Sequence, residues 1–292
     1  KVTVSEFIAR VAASMGFQPT DGQVEVLRVF GAFIASRDPR SVMLLSGSAG
    51  TGKTTLTAAL VRTLAAVGQK VVLMAPTGRA AKVLAVNAGM PALTIHRKIY
   101  RQRVFEGDFN LNDNLHADTL FVVDEASMIA NDGFTQSVFG SGRLLDDLVQ
   151  YVYGGRNCRM MLIGDTAQLP PVGEEESPAL SADHMATYDM QVFVASLTEV
   201  LRQSRQSGIL YNADIIRSMI THDELTQLPR ITFARFADIR IVPGDEPIAQ
   251  LATSYSEVGQ DETMVVTRSN KRAAIYNQGI RNTVLGCEEM LT

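Results

Sequence analysis

Ser41-Val-Met-Leu-Leu-Ser46 followed by Gly47-Ser-Ala-Gly50-Thr-Gly52-Lys53-Thr54 is the stretch that decides the fold. The first part is a short apolar run of strand length. The second matches G-x-x-x-x-G-K-[ST] and opens a helical pattern from Lys53 to about Val67, with Gly68 as its stop. A strand before and a helix after are what the motif requires. Its glycines let backbone N–H groups turn inward on phosphate oxygens, and the helix N-terminus adds partial positive charge there. Gly47, Ser48, Ala49, Gly50, Thr51, Gly52, Lys53, Thr54 and Thr55 are therefore the expected cradle of a nucleoside triphosphate. Lys53 is expected on the β- and γ-phosphates and the Thr54 hydroxyl on Mg²⁺.

Working outward, Lys70–Ala75, Thr119–Asp124 and Arg159–Gly164 are further continuous apolar runs. Such runs fit strands buried on both faces, and their alternation with helical patterns is the α/β arrangement. The polar stretch 97–118 interrupts the rhythm and suits an inserted hairpin or small subdomain. A second α/β unit is expected after a boundary near 205, with strands at Ile239–Val242 and Thr263–Thr267.

Asp124 and Glu125 end one apolar run side by side. In open parallel sheets ligands bind beyond the carboxyl ends of the strands. Asp124 is thus expected on Mg²⁺, and Glu125 to position and deprotonate the attacking water. Gln168 lies on the Pro-stiffened loop after the next run, Gly164-Asp-Thr-Ala-Gln-Leu-Pro-Pro171. Its amide can both donate to a γ-phosphate oxygen and accept from a water, which suits a sensor of nucleotide state; a solvent-facing loop residue is the alternative.

These elements in this order resemble superfamily 1 helicases of the RecD-like group. The likeness continues in Ala75-Pro-Thr-Gly-Arg-Ala-Ala-Lys82, Thr94-Ile-His-Arg97, Asp124-Glu-Ala-Ser-Met128, Gly164–Val172, Leu197-Thr-Glu-Val-Leu-Arg-Gln203 and Val266-Thr-Arg-Ser-Asn-Lys-Arg-Ala273. The resemblance implies a P-loop NTPase with a RecA-like parallel sheet over 1–205, with 97–118 as its insertion, and a partial second RecA-like domain over 206–292. It implies an ATP- and Mg²⁺-dependent, DNA-stimulated motor moving 5′ to 3′ on single strands. It assigns Gln23 to the adenine edge and Arg202 to the γ-phosphate. Thr20-Asp-Gly-Gln23 also reads as a helix capping box, and both roles are compatible. The group's later motifs have no counterpart before Thr292, and the chain starts at Lys1 rather than Met, so a piece of a longer polypeptide is expected.

The chain has 292 residues, a formal charge of −4, 46% hydrophobic and 20% charged residues, and two cysteines far apart in sequence. This excludes a disordered chain, a disulfide framework and a zinc ribbon, and a reducing cytoplasm is expected. No apolar run nears the ~20 residues of a membrane span, so no membrane partner is expected. Net charge argues weakly against nucleic acid, but its distribution argues for it. Ala75–Arg103 holds six Lys and Arg and no acid, and Val266–Arg281 holds four and no acid. A localised basic stripe suffices to bind phosphates. Thr77, Arg79, Lys82, His96, Arg97, Thr267, Asn270 and Lys271 are the expected contacts with single-stranded DNA or a single/double-strand junction. His96, Tyr100 and Phe105 are read as either stacking faces or packing residues. Partner subunits of a repair or recombination complex are compatible with the family but unnamed by it. The rival functions are a nucleotide-dependent DNA clamp or regulatory module without unwinding and, less compatible with two adjacent acids, a P-loop kinase. A nuclease finds no carboxylate–lysine cluster.

Overall fold

The structure is a computed structural model describing residues 3–48, 50–102, 109–132, 139–198, 207–221, 228–244 and 246–286. The chain divides into two compact units, Lys1–Gln203 with Ile220–Asp223, and Ser204–Met219 with Glu224–Thr292.

The first unit begins with α1 (Val4–Met15) and α2 (Asp21–Ala35), each entered through a threonine capping box. Then come β1 (Ser41–Gly47), α3 (Lys53–Ala66), β2 (Lys70–Ala75), α4 (Gly78–Ala88), β3 (Ala92–Thr94) and α5 (Ile95–Ile99). A small antiparallel pair, β4 (Tyr100–Gln102) and β5 (Phe109–Leu111), occupies the inserted stretch. β6 (Thr119–Val123), α6 (Leu144–Gly154), β7 (Arg159–Gly164), α7 (Ala182–Ala186) and β8 (Gln191–Leu197) complete the unit.

Six strands form one parallel sheet in the order β3-β2-β6-β7-β1-β8. The apolar runs are continuous because each strand feeds two cores. Met43, Leu45, Leu120, Val122, Met161 and Ile163 point into the core under α1–α4. Their neighbours Val42, Leu44, Phe121, Val123, Met160 and Leu162 point into the one covered by α5–α7. Period-two alternation thus divides residues between two apolar layers rather than between core and water. Each such side chain contributes about 1.5–3 kcal/mol by leaving water. Because every strand runs the same way, the loops after β1, β2, β6 and β7 emerge at one edge.

The second unit contains α8 (Gly208–Thr221), α9 (Pro247–Glu257) and α10 (Asn270–Gly279). The Asp238 carboxylate caps α8, accepting from the Gly208 N–H at 2.7 Å and the Ser207 hydroxyl at 2.6 Å. Buried Asn212 bridges α8 to the Thr232 backbone. The two strands expected here do not form: Ile239–Val242 and Thr263–Thr267 have no ladder partner among the described residues. Burial along 263–267 still alternates, with Met264 and Val266 outward. Alternation alone does not make a strand, which also needs a neighbour for its N–H and C=O groups. Among the described residues no helix is long and apolar enough to cross a membrane.

Candidate functional site

The nucleotide cradle is built where β1 turns into α3. Gly50 and Gly52 take φ of +82° and +80°. A side chain costs about 1–2 kcal/mol in that left-handed region, so glycine is dictated at both. The turn is tied by Thr51, whose N–H and hydroxyl both donate to the Ser48 carbonyl. Gly47 and Thr51 are buried, Ser48, Gly50, Gly52 and Lys53 half-buried, and Thr54 and Thr55 exposed. Ala49 lies outside the described residues. Lys53 Nζ donates to the Gly47 carbonyl at 2.7 Å and to the Gly164 carbonyl at 3.1 Å. It therefore spans from the cradle to the end of β7.

Gln23 is fully buried. Its Oε1 accepts from the Thr20 N–H at 3.1 Å, completing the capping box, while Nε2 has no partner. A buried donor left unsatisfied costs about 1–3 kcal/mol. The amide thus has one end committed to the helix cap and one end available to an acceptor such as an adenine ring nitrogen.

At the end of β6, Asp124 donates its N–H to the Met74 carbonyl, and its Oδ1 accepts from the Glu125 N–H at 2.9 Å. Glu125 itself sits at φ +53°, a left-handed conformation unusual for a non-glycine residue. Such backbone strain costs of order 1–3 kcal/mol and clusters at functional sites. Burial raises the pKa of both carboxyls. For Glu125 the charges of Asp124 and Asp165 add to the rise and that of Lys53 opposes it. This crowding of negative charge favours a positive partner at the end of β6.

Buried Asp165, a residue to which the sequence assigns no role, shapes the loop that carries Gln168: its Oδ1 accepts from the Ala167 N–H at 3.0 Å and its carbonyl from the Gln168 N–H at 3.1 Å. Gln168 is exposed and, with Asp124, Glu125, Thr77, Arg79, Ala80, Val83 and Met128, lines one cavity of ≈ 340 Å³.

That cavity brings a candidate DNA contact against the carboxylates. Thr77 caps α4 by accepting from the Ala80 N–H at 3.2 Å. Arg79 lines the cavity; Lys82, one turn on, is exposed but does not. The pair therefore does not share one face of the cleft. Arg97 is exposed. His96 is half-buried, its ring 5.0 Å from Phe139 and 5.7 Å from Tyr100. Tyr100 is a packing residue, since it is buried and its hydroxyl donates to buried Asp147 at 2.6 Å. In the second unit Asn270 and Lys271 are exposed in the first turn of α10, and the Thr267 hydroxyl donates to the Ser269 carbonyl. Arg202 and Phe105 lie outside the described residues.

A family model described as "AAA domain" matches residues 20–228. The chain belongs to that family. It is 34% identical over 173 residues to the ATP-dependent RecD2 DNA helicase of Deinococcus radiodurans, covering 59% of this chain and 21% of that protein. It is 28% identical over 192 residues to the ATP-dependent DNA helicase dda of Enterobacteria phage T4, covering 63% of this chain and 40% of that protein. These two matches bear out the RecD-like resemblance read from the motifs. The chain thus spans well under half the length of either relative. Among solved structures, Pif1 helicase from Candida albicans aligns over 91% of this chain and 55% of its own, at 18% identity and a TM-score of 0.48. Within the AAA-domain match lie the cradle, the carboxylate pair, the sensor loop and the basic α4 start.

Proposed function

We propose that this chain carries the ATP-hydrolysing centre of a superfamily 1 DNA helicase that tracks 5′ to 3′ along single-stranded DNA. The observation that carries the reading is the shared cavity in which Asp124, Glu125 and Gln168 meet Thr77 and Arg79. Hydrolytic groups and the start of the basic helix there border the same space.

In this reading Lys53 exchanges its two carbonyl acceptors for β- and γ-phosphate oxygens, while the backbone of 47–54 surrounds the phosphates. Gln23 holds the adenine edge. Thr54 and Asp124 would hold Mg²⁺, which would supply neutralisation of charge on the phosphates. Glu125 orients the attacking water and takes its proton, a task suited to a carboxylate whose pKa is raised. Gln168 bridges the γ-phosphate side and the α4 side, so that a strand held by Thr77, Arg79 and Lys82 alters its position. His96, Arg97, Thr267, Asn270 and Lys271 extend the strand's path, and Arg202 completes the γ-phosphate contacts. Residues 1–205 act as the first motor domain and 206–292 as part of the second.

Strand displacement tests this reading. A duplex with a 5′ single-stranded tail should be opened in the presence of ATP and Mg²⁺, and one with a 3′ tail should not. Hydrolysis stimulated by single strands with no displacement on either substrate would leave a nucleotide-dependent clamp.

A further inference from the structure

Beside the apolar packing of Pro178–Leu180 on Ala126–Met128, a carboxylate ties the loop bearing Gln168 to the segment following Glu125. Glu174 Oε1 accepts from the Asn131 N–H at 2.5 Å and from the Asp132 N–H at 2.8 Å. The Glu174 N–H donates in turn to the Pro171 carbonyl at 3.1 Å, so the acid sits on a closed turn continuous with the Pro170-Pro171 stiffener. On the other side, Asn131 is anchored to α6. Its Nδ2 donates to Asp146 Oδ1 at 3.0 Å, and its Oδ1 accepts from the Asp146 N–H at 3.1 Å. The Tyr188 hydroxyl donates to the same Asp146 oxygen at 2.5 Å. Asn131 lies six residues beyond Glu125, past a 3₁₀ turn at Ala126–Met128, and Glu174 lies six beyond Gln168.

We propose that Glu174 is a positioning residue that fixes the separation of Gln168 from Glu125 and thereby transmits DNA binding to hydrolysis. It touches neither substrate nor reacting atoms. A carboxylate accepting two adjacent backbone N–H groups makes charge-assisted bonds, stronger and shorter than neutral ones. Severing them leaves the Gln168 loop held through Asp165 and through the apolar packing of Pro178–Leu180 on β7 and on Ala126–Met128, with no charged tie to the Asn131 backbone. Displacement of one loop is then passed to the other less tightly. This inference rests on the ATPase reading above and adds the part that couples its two ligands.

Three variants separate reach from charge and coupling from bracing. Glu174→Ala and Glu174→Asp both lose the contact, the second because its carboxylate is one methylene short while its charge is kept. Glu174→Gln retains an oxygen at the same reach. Phosphate release with and without a single-stranded oligonucleotide, alongside amide hydrogen exchange at 131 and 132, reads the result. For Ala and Asp the expected result is a DNA-stimulation ratio reduced roughly five-fold or more. Their KM for ATP and DNA-free turnover should stay within about two-fold of the parent, and exchange at Asn131 and Asp132 should accelerate. Glu174→Gln should keep most of the ratio and the protection. An unchanged ratio in Glu174→Ala overturns the proposal. So does an equal fall of basal and stimulated rates with the ratio preserved, which marks a simple brace. Slow exchange at 131 and 132 in Glu174→Ala overturns it independently of any turnover. A parent chain without stimulated hydrolysis, yet with the exchange response intact, would instead overturn the ATPase reading and with it the coupling role.

Discussion

At Glu125 backbone strain, a raised pKa and a neighbouring second carboxylate coincide. Strain at φ +53° persists because the Asp124 side chain and the β6–β2 ladder hold the peptide on its N-terminal side. Glu125→Gln preserves size and removes the base, so ATP should still bind with near-parent affinity while turnover falls roughly 10²–10⁴-fold. Fluorescent-nucleotide titration and phosphate release check the two halves. Lys53→Ala, by contrast, should weaken nucleotide binding as well, since the Nζ that now bridges Gly47 and Gly164 has no replacement in the loop. Gln168→Ala should leave nucleotide affinity within a few-fold and lower DNA stimulation; equal stimulation in mutant and parent would return Gln168 to an ordinary loop residue. The gathering of Gln168, Asp124, Glu125 and Lys53 at one edge of the sheet was legible because each follows closely on the end of a strand. Asp165 and Glu174 were not, because their roles depend on which backbone N–H groups folding brings to them.

At the scale of elements, β7 and the turn after β6 approach so closely that a side chain at Gly164 would press on Leu180 and on the turn's backbone. An added Cβ would lie 2.7 Å from Leu180 Cδ1 and 3.0 Å from the Ser127 nitrogen. Gly164→Ala should therefore destabilise by about 1–3 kcal/mol, as overpacking does, and displace the turn that carries Glu125. A thermal melt combined with phosphate release is the check: turnover should fall more than the melting shift accounts for at the assay temperature. An unaltered melt would mean that the turn has room to retreat. The order of β1, α3, β2, β6 and β7 was readable because double-sided burial leaves continuous apolar runs. The edge strands β3 and β8 were not, being short in one case and partly exposed in the other. The expected strands at Ile239–Val242 and Thr263–Thr267 were not borne out, because short apolar runs say nothing about the presence of a pairing neighbour. The packing of Tyr100 on Asp147 was likewise hidden, since their 47-residue separation leaves no local pattern.

In the molecule as a whole, one cavity joins the Asp124–Glu125 carboxylates to the basic start of α4. Arg79 lines that cavity and Lys82 does not, so the two basic side chains should separate experimentally. Lys82→Ala should weaken single-strand binding about equally for all sequences and flatten the salt dependence by ~0.7 in log–log slope, the value of one phosphate contact. It should not alter DNA-free hydrolysis. Arg79→Ala should change both, because Arg79 borders the cavity that Asp124 and Glu125 line. The measurement that tests the central claim most directly is steady-state phosphate release as a function of single-stranded oligonucleotide, at saturating ATP and Mg²⁺. The account predicts a rate that rises several-fold and saturates, with Lys82→Ala shifting the midpoint to higher oligonucleotide concentration and Glu125→Gln flat near zero. A rate independent of oligonucleotide at every concentration, or stimulation undiminished in Glu125→Gln, would contradict it.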